Sequence, residues 1–355
     1  MDRPSERSDR VAMIDWFKAV GIFLIVFGHL DGDFTNTLTL PVRLKQLGVV
    51  FFIFIMGWQL ARETRPLWIV LFNRLFKVYF WGLVFALIFS MFGVILSGNL
   101  CESNYLPFFG GINVFLDYFP ANPTTWYIGV YIHLLLFWAI CLRKLKITMG
   151  ILLITIVLEV LVRWLLMPYG LYRAYMVLFN WQTVFLTGMF LGQRQTDFIK
   201  PDQRKRNRAL IQYAVFILAW FSLVTLIPIT RRFPFDLILS RDGSGLPLIT
   251  STAISLVYIS HAWFFFSLTR YLAENKLVEF FSRNTLIIFI VHMPVWYFIA
   301  PYMRAWIPWH PIRIVLDLVV LYVGIGGLSF VLEKYVPWKK CKLMIQSRLI
   351  GQERM

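Results

Sequence analysis

Long apolar stretches alternate with short polar ones through the whole chain. Runs long enough to cross a bilayer fall at about residues 12–30, 46–62, 78–97, 125–142, 148–167, 175–193, 209–229, 247–268, 284–303 and 313–333. The pattern predicts an all-α bundle of about ten transmembrane helices with both termini on one side of the membrane. The polar N-terminal segment is followed by an apolar run without a small-residue cleavage site, so that run is expected to stay in the protein as a helix. No linker-like composition and no short repeat divides the chain. A single membrane domain over residues 1–355, with no appended soluble domain, is the expectation.

Composition sharpens this. The chain is 59% hydrophobic and only 15% charged, which excludes an ordinary soluble domain. Its net charge of +16 suggests nucleic-acid binding until the charges are placed. With the termini in the cytoplasm, and with Arg62 and Arg313 at span ends counted in their adjacent loops, 25 of the 35 Lys and Arg residues fall in cytoplasmic segments and 8 in external ones. Lys18 and Arg163 remain within spans. That bias sets an N-in, C-in topology and removes the reason to invoke nucleic acid. The basic stretch 194–208 and the tail from Lys334 are the densest clusters, suited to anionic membrane lipids. Of three cysteines, Cys101 is expected outside and Cys141 and Cys341 near the cytoplasmic side, so no disulfide is expected. No closely spaced ligand cluster marks a metal site.

Polar residues inside apolar spans are costly and so mark candidate sites. The first span carries three: Asp15, Lys18 and His29. Asp15 and Lys18 stand three apart, on one helical face. The eleven positions from Lys18 to His29 are close to three turns, placing the histidine on nearly the same face, roughly 16 Å further along the axis. A cation near one membrane surface and a base deeper on the same stripe suit chemistry within the bilayer. A snorkelling lysine and a packing histidine are the alternative.

Other spans add weaker candidates. Arg74 and Lys77 share a face where the third span enters the membrane, and two cations there suit phosphate oxygens. Trp126 and His133 lie in the fourth span, where helix packing competes with a cavity role. Glu159 and Arg163, four apart in the fifth, are partners on one helix and suit either a structural pair or a substrate cavity. Ser282-Arg283-Asn284-Thr285 opens the ninth span, with His292 deeper in it; His261 in the eighth is a weaker candidate. The aromatic segment Asn104–Gly111 suits a sugar ring or an interfacial belt equally. A transporter or flippase of a lipid-linked sugar would also need intramembrane charge, but the paired broken helices of many transporters are not evident. A sensor or scaffold gains little from a buried Asp-Lys-His stripe.

Asp15-x-x-Lys18 followed by ten residues and His29 resembles the opening of acyltransferase family 3, the integral membrane O-acyltransferases. Phe51-Phe52-Ile53-Phe54-Ile55-Met56-Gly57, Trp126-Tyr127 and the run from Ser282 to His292 resemble further segments of that family. The chain is most similar in type to its compact glycan O-acetylases, such as fucose O-acetylases. Two departures stand out: Arg74-x-x-Lys77 replaces an Arg-x-x-Arg, and Met56-Gly57 replaces a Ser-Gly. The resemblance implies transfer of an acyl group, most often acetyl from acetyl-CoA, to a hydroxyl of a lipid-linked (polyprenyl-linked) or periplasmic glycan. It also implies a bacterial inner membrane. His29 would act as general base or acyl carrier, with Asp15 orienting Lys18. Lys18, Arg74 and Lys77 would hold the CoA phosphates, and no metal is implied.

Overall fold

The structure is a computed structural model that describes residues 12–30, 44–97, 111, 126–166, 169, 176–194, 202–226 and 246–352. The aromatic run from Asn104 to Gly110, Cys101 and Lys200 lie outside the described residues. All regular structure among the described residues is helical. Among the described residues six helices are long and apolar enough to cross a membrane, and Gln46–Leu60 and Trp126–Leu142 are shorter apolar helices. The protein is therefore a multi-pass, all-α membrane protein. The chain forms two compact units.

The first unit comprises Met1–Arg62, Lys146–Gly170 and Phe179–Thr285. It contains α1 (Ala12–His29), α2 (Leu44–Leu60), α5 (Met149–Leu166), α6 (Gln182–Arg194), α7 (Gln203–Leu226), α8 (Leu246–Thr269) and the start of α9 (Lys276–Trp306). Its centre is a set of very close helix crossings. A Cβ on Gly48 of α2 would stand 2.4 Å from the Gly21 carbonyl oxygen of α1. A Cβ on Gly57 would stand 2.1 Å from Phe185 O, and one on Gly188 of α6 2.1 Å from Phe54 O. Lipid tails are as apolar as leucine, so membrane helices associate through such close backbone contact rather than by escape from water. The Met56-Gly57 step of the aromatic segment thus has a packing reason: Gly57 is where α2 meets α6. Around these crossings Phe17 stacks on Phe54 and meets Phe51 and Phe265 edge-on.

On α5 the usual soluble pattern is inverted. Leu153, Ile154, Val157, Leu158, Leu161 and Leu165 are exposed, whereas Thr155, Glu159 and Arg163 are buried. Hydrocarbon outside and polar groups inside is what a bilayer solvent selects.

The second unit comprises Glu63–Leu145, Leu171–Leu178 and Leu286–Met355. It contains α3 (Leu67–Ser97), α4 (Trp126–Phe137), the rest of α9, α10 (His310–Leu318), α11 (Ile325–Tyr335) and α12 (Trp338–Gln352). Single π-helical segments, Trp138–Leu142 and Val319–Gly324, extend α4 and join α10 to α11. The C-terminal α12 packs on α3.

Several helices begin well before the apolar run that reveals them. α3 starts at Leu67 rather than 78, just after Pro66, and so includes Arg74 and Lys77. α7 starts at Gln203, where the Asp202 carboxylate accepts from the Arg204 and Lys205 amides. α9 starts at Lys276, capped by the Asn275 side-chain oxygen on the Leu277 and Val278 amides. Hydropathy marks where lipid begins; capping marks where the helix begins. The run at 175–193 departs the other way. It is a short 3-10 turn, Leu178–Asn180, followed by the thirteen-residue α6, because Asn180 is committed to Arg163.

Candidate active site

In the first unit, Asp15, Lys18 and His29 lie on the unbroken helix α1. Asp15 is buried, and its Oδ1 accepts a 2.5 Å hydrogen bond from the Ser282 hydroxyl of α9. Two separate motifs, Asp15-x-x-Lys18 and the run opening with Ser282, are thereby joined side chain to side chain. Trp16 strengthens the junction by donating its indole N–H to the Ala273 carbonyl at 3.0 Å. Thr285 returns its hydroxyl to the Ser282 carbonyl, Asn284 donates to Phe280 O, and Arg283 pairs with Glu279. Beside Asp15, a water-sized crevice of about 20 Å³ is bordered by Trp16, Glu274, Asn275 and Glu279. Lys18 and His29 are half-buried, and His29 closes the last turn of α1.

The Glu159–Arg163 pair also belongs to this unit. Both side chains are fully buried, and Arg163 Nη2 meets Glu159 Oε1 at 2.8 Å. Arg163 further donates to Asn180 Oδ1 (2.5 Å), to the Ser251 carbonyl (2.6 Å) and hydroxyl (2.9 Å), and to Ser255 Oγ (3.2 Å). Glu159 accepts from Ser255 Oγ at 2.5 Å and from the Thr183 amide at 2.9 Å. The charged pair is matched from within the protein, across α5, α6 and α8, whereas Asn180 Nδ2 and Thr183 Oγ1 beside it are buried with no hydrogen-bond partner among the described residues. Sequence reading found the pair but not Asn180, Ser251 and Ser255. The four-residue spacing of two serines in the apolar α8 was the available signal. His261, on the same helix, stacks on Phe51 at 4.4 Å, and neither ring nitrogen has a hydrogen-bond partner among the described residues.

In the second unit, Arg74 and Lys77 sit on the first turns of α3. Arg74 lies in the field of Glu63, and its Nε is buried with no hydrogen-bond partner among the described residues. Lys77 is engaged: its Nζ meets Glu333 Oε1 at 2.6 Å and lies 5.2 Å from the Trp338 ring. Glu333 and Trp338, unremarked in the sequence, are therefore its immediate surroundings. In the preceding loop Glu63 accepts two hydrogen bonds from the Arg65 guanidinium. Those bonds hold its carboxyl below the ordinary range, and the nearby charges of Arg65 and Arg74 act in the same direction.

The remaining candidates also lie in this unit. Trp126 meets Tyr127 edge-on, Tyr127 meets Phe289 at 5.2 Å, and Phe289 borders His292. His292 is buried, with Nδ1 3.0 Å from Ile288 O and 2.9 Å from Phe289 O. Carbonyls only accept, so Nδ1 carries the hydrogen and Nε2 holds the lone pair. His133 packs against Gly111, whose φ of +66° and a would-be Cβ 3.3 Å from His133 Nε2 both call for glycine. The site residues thus divide: Asp15, Lys18, His29, Glu159 and Arg163 in the first unit, Arg74, Lys77, Trp126, His133 and His292 in the second. Among the described residues no three His, Cys, Asp or Glu side chains gather as a metal site would require.

No curated protein and no solved structure matches this chain. A family model described as an acyltransferase domain matches residues 11–333, from the start of α1 to Glu333 near the end of α11. That stretch covers both units and every candidate residue above, and with it the chain belongs to acyltransferase family 3 and is a membrane acyltransferase.

Proposed function

We propose that the protein moves an acyl group, most simply acetyl, from cytoplasmic acyl-CoA to a hydroxyl of a lipid-linked or periplasmic glycan. The compact glycan O-acetylases are the type it would join, in a bacterial inner membrane. Ten spans with both termini inside accord with the charge bias of its loops. The observation that carries this reading is the arrangement on α1: buried Asp15 held by Ser282, Lys18 one turn on, and His29 at the far end of the same helix.

His29 is the general base in this scheme, because a neutral imidazole has a nitrogen lone pair that can take a proton. It removes the proton from the acceptor hydroxyl. The alkoxide oxygen then attacks the thioester carbonyl, the C–S bond breaks, and CoA leaves as a thiolate. A thiolate needs little acid assistance, so one histidine suffices. Transfer through an acyl-His29 intermediate uses the same residue as nucleophile. Asp15 orients Lys18 for the donor. Arg74 and Lys77 bind donor phosphates, and the orphaned Arg74 Nε is a donor in want of an acceptor oxygen. The chemistry of the donor set fits a phosphate-bearing substrate.

The test compares wild type with His29→Ala in lipid nanodiscs, using acetyl-CoA labelled in the acetyl group and following CoA release. His29→Ala should lower release by about a hundredfold or more while the protein stays folded in the membrane. Release at the wild-type rate would remove His29 from the chemistry.

A further inference from the structure

The C-terminal helix α12 lies beyond residue 333, where the family match ends. It is nevertheless bound to the cytoplasmic start of α3. Trp338 donates its indole N–H to Glu333 Oε2 at 3.0 Å, and the other oxygen of Glu333 holds Lys77. The Trp338 ring lies beside the Lys77 ammonium. Lys342 follows Trp338 by four residues, so the two share a face of α12. Lys342 lies near enough to Arg65 and Lys77 to feel their charges.

The electrostatics agree. Burial lowers the Lys342 pKa first, and the charges of Arg65 and Lys77 lower it further. Arg143 adds another cation by donating to the Arg65 carbonyl at 2.8 Å. Glu63 answers Arg65 and Glu333 answers Lys77. No carboxylate among the described residues pairs with Lys342, and Arg74 Nε is still unsatisfied. Partly burying several cations together is unfavourable unless an anion joins them. The donor set, guanidinium forks beside ammonium points, matches clustered phosphate oxygens.

We propose that α12 completes a phosphate-binding cradle in the second unit, Lys342 joining Arg65, Arg74 and Lys77 around the phosphates of a nucleotide-type acyl donor. This rests on the acyl-CoA reading above and adds to it a helix outside the matched stretch. An anionic lipid headgroup offers the same chemistry, so the test separates the two sources.

The experiment uses full-length protein in phosphatidylcholine nanodiscs and measures the Kd for coenzyme A by calorimetry. Lys342→Ala should weaken binding roughly tenfold, as loss of a charged hydrogen bond does, without lowering the melting temperature of the ligand-free protein. Lys342→Arg should bind within about twofold of wild type, since the charge and a donor remain. Lys340→Ala, an equal loss of charge at an exposed position of the same helix, should leave the Kd unchanged. Equal coenzyme A affinity in wild type and Lys342→Ala would overturn the cradle and leave the donor reading standing. If wild type fails to bind coenzyme A, the donor reading falls, and the cradle's nucleotide assignment with it. In that case a Lys342-dependent affinity for phosphatidylglycerol vesicles would assign the cations to lipid.

Discussion

Two charged clusters in this protein are built to opposite rules. In the first unit, Glu159 and Arg163 are fully buried, neutralise each other and are held by Asn180, Thr183, Ser251 and Ser255, so the charges of the pair are matched. In the second, Arg65 pairs with Glu63 and Lys77 with Glu333, while the buried Nε–H of Arg74 has no acceptor among the described residues. A pair whose charges are already matched holds helices together. A cluster with surplus cations is costly as it stands and becomes favourable only when an anion arrives. On the proposal above, the balance of charge within each cluster, more than burial alone, is what separates scaffold from site.

The sharpest way to break this comparison is to remove one partner from the matched pair. Glu159→Gln leaves the Arg163 charge buried without its counter-ion, a loss of about 3–5 kcal/mol. The amount of folded protein recovered in detergent should fall severely, while turnover per folded molecule stays close to wild type. The reverse pattern would move the pair into the substrate cavity.

Arg74→Ala should behave oppositely. Its Nε already lacks a partner among the described residues, so folded yield should hold. The apparent KM for acetyl-CoA should rise roughly tenfold, the scale of a lost charged hydrogen bond. An unchanged KM with a lower melting temperature would make Arg74 a structural residue and blur the distinction.

The smallest effect is expected from Glu63→Gln. Because Arg65 lowers the Glu63 pKa, the native state gains stability above the ordinary carboxylate range, and that gain is lost as pH falls through the depressed value. Melting temperature followed from neutral to acid pH should decline slightly less in Glu63→Gln than in wild type. Identical profiles would show that the Glu63–Arg65 pair contributes nothing measurable.

The sequence by itself determined the membrane class, the helical content and the stripe of Asp15, Lys18 and His29. Each of these is local: hydropathy accumulates along a run, and the positions on one helix follow from 3.6 residues per turn. It also paired Glu159 with Arg163, because four residues on a helix is a fixed distance. Helix starts were less legible, since the capping by Asn275 and Asp202 precedes the lipid-facing residues. Only the tertiary structure decided what surrounds each charge. Ser282 reaches Asp15 across 267 positions, and Ser255 reaches Glu159 across 96. Glu333 of α11 and Trp338 of α12 meet at Lys77 of α3. No periodicity encodes such meetings. They arise when close-packed helices choose their neighbours, and that choice settles whether a charge is satisfied or left for a substrate.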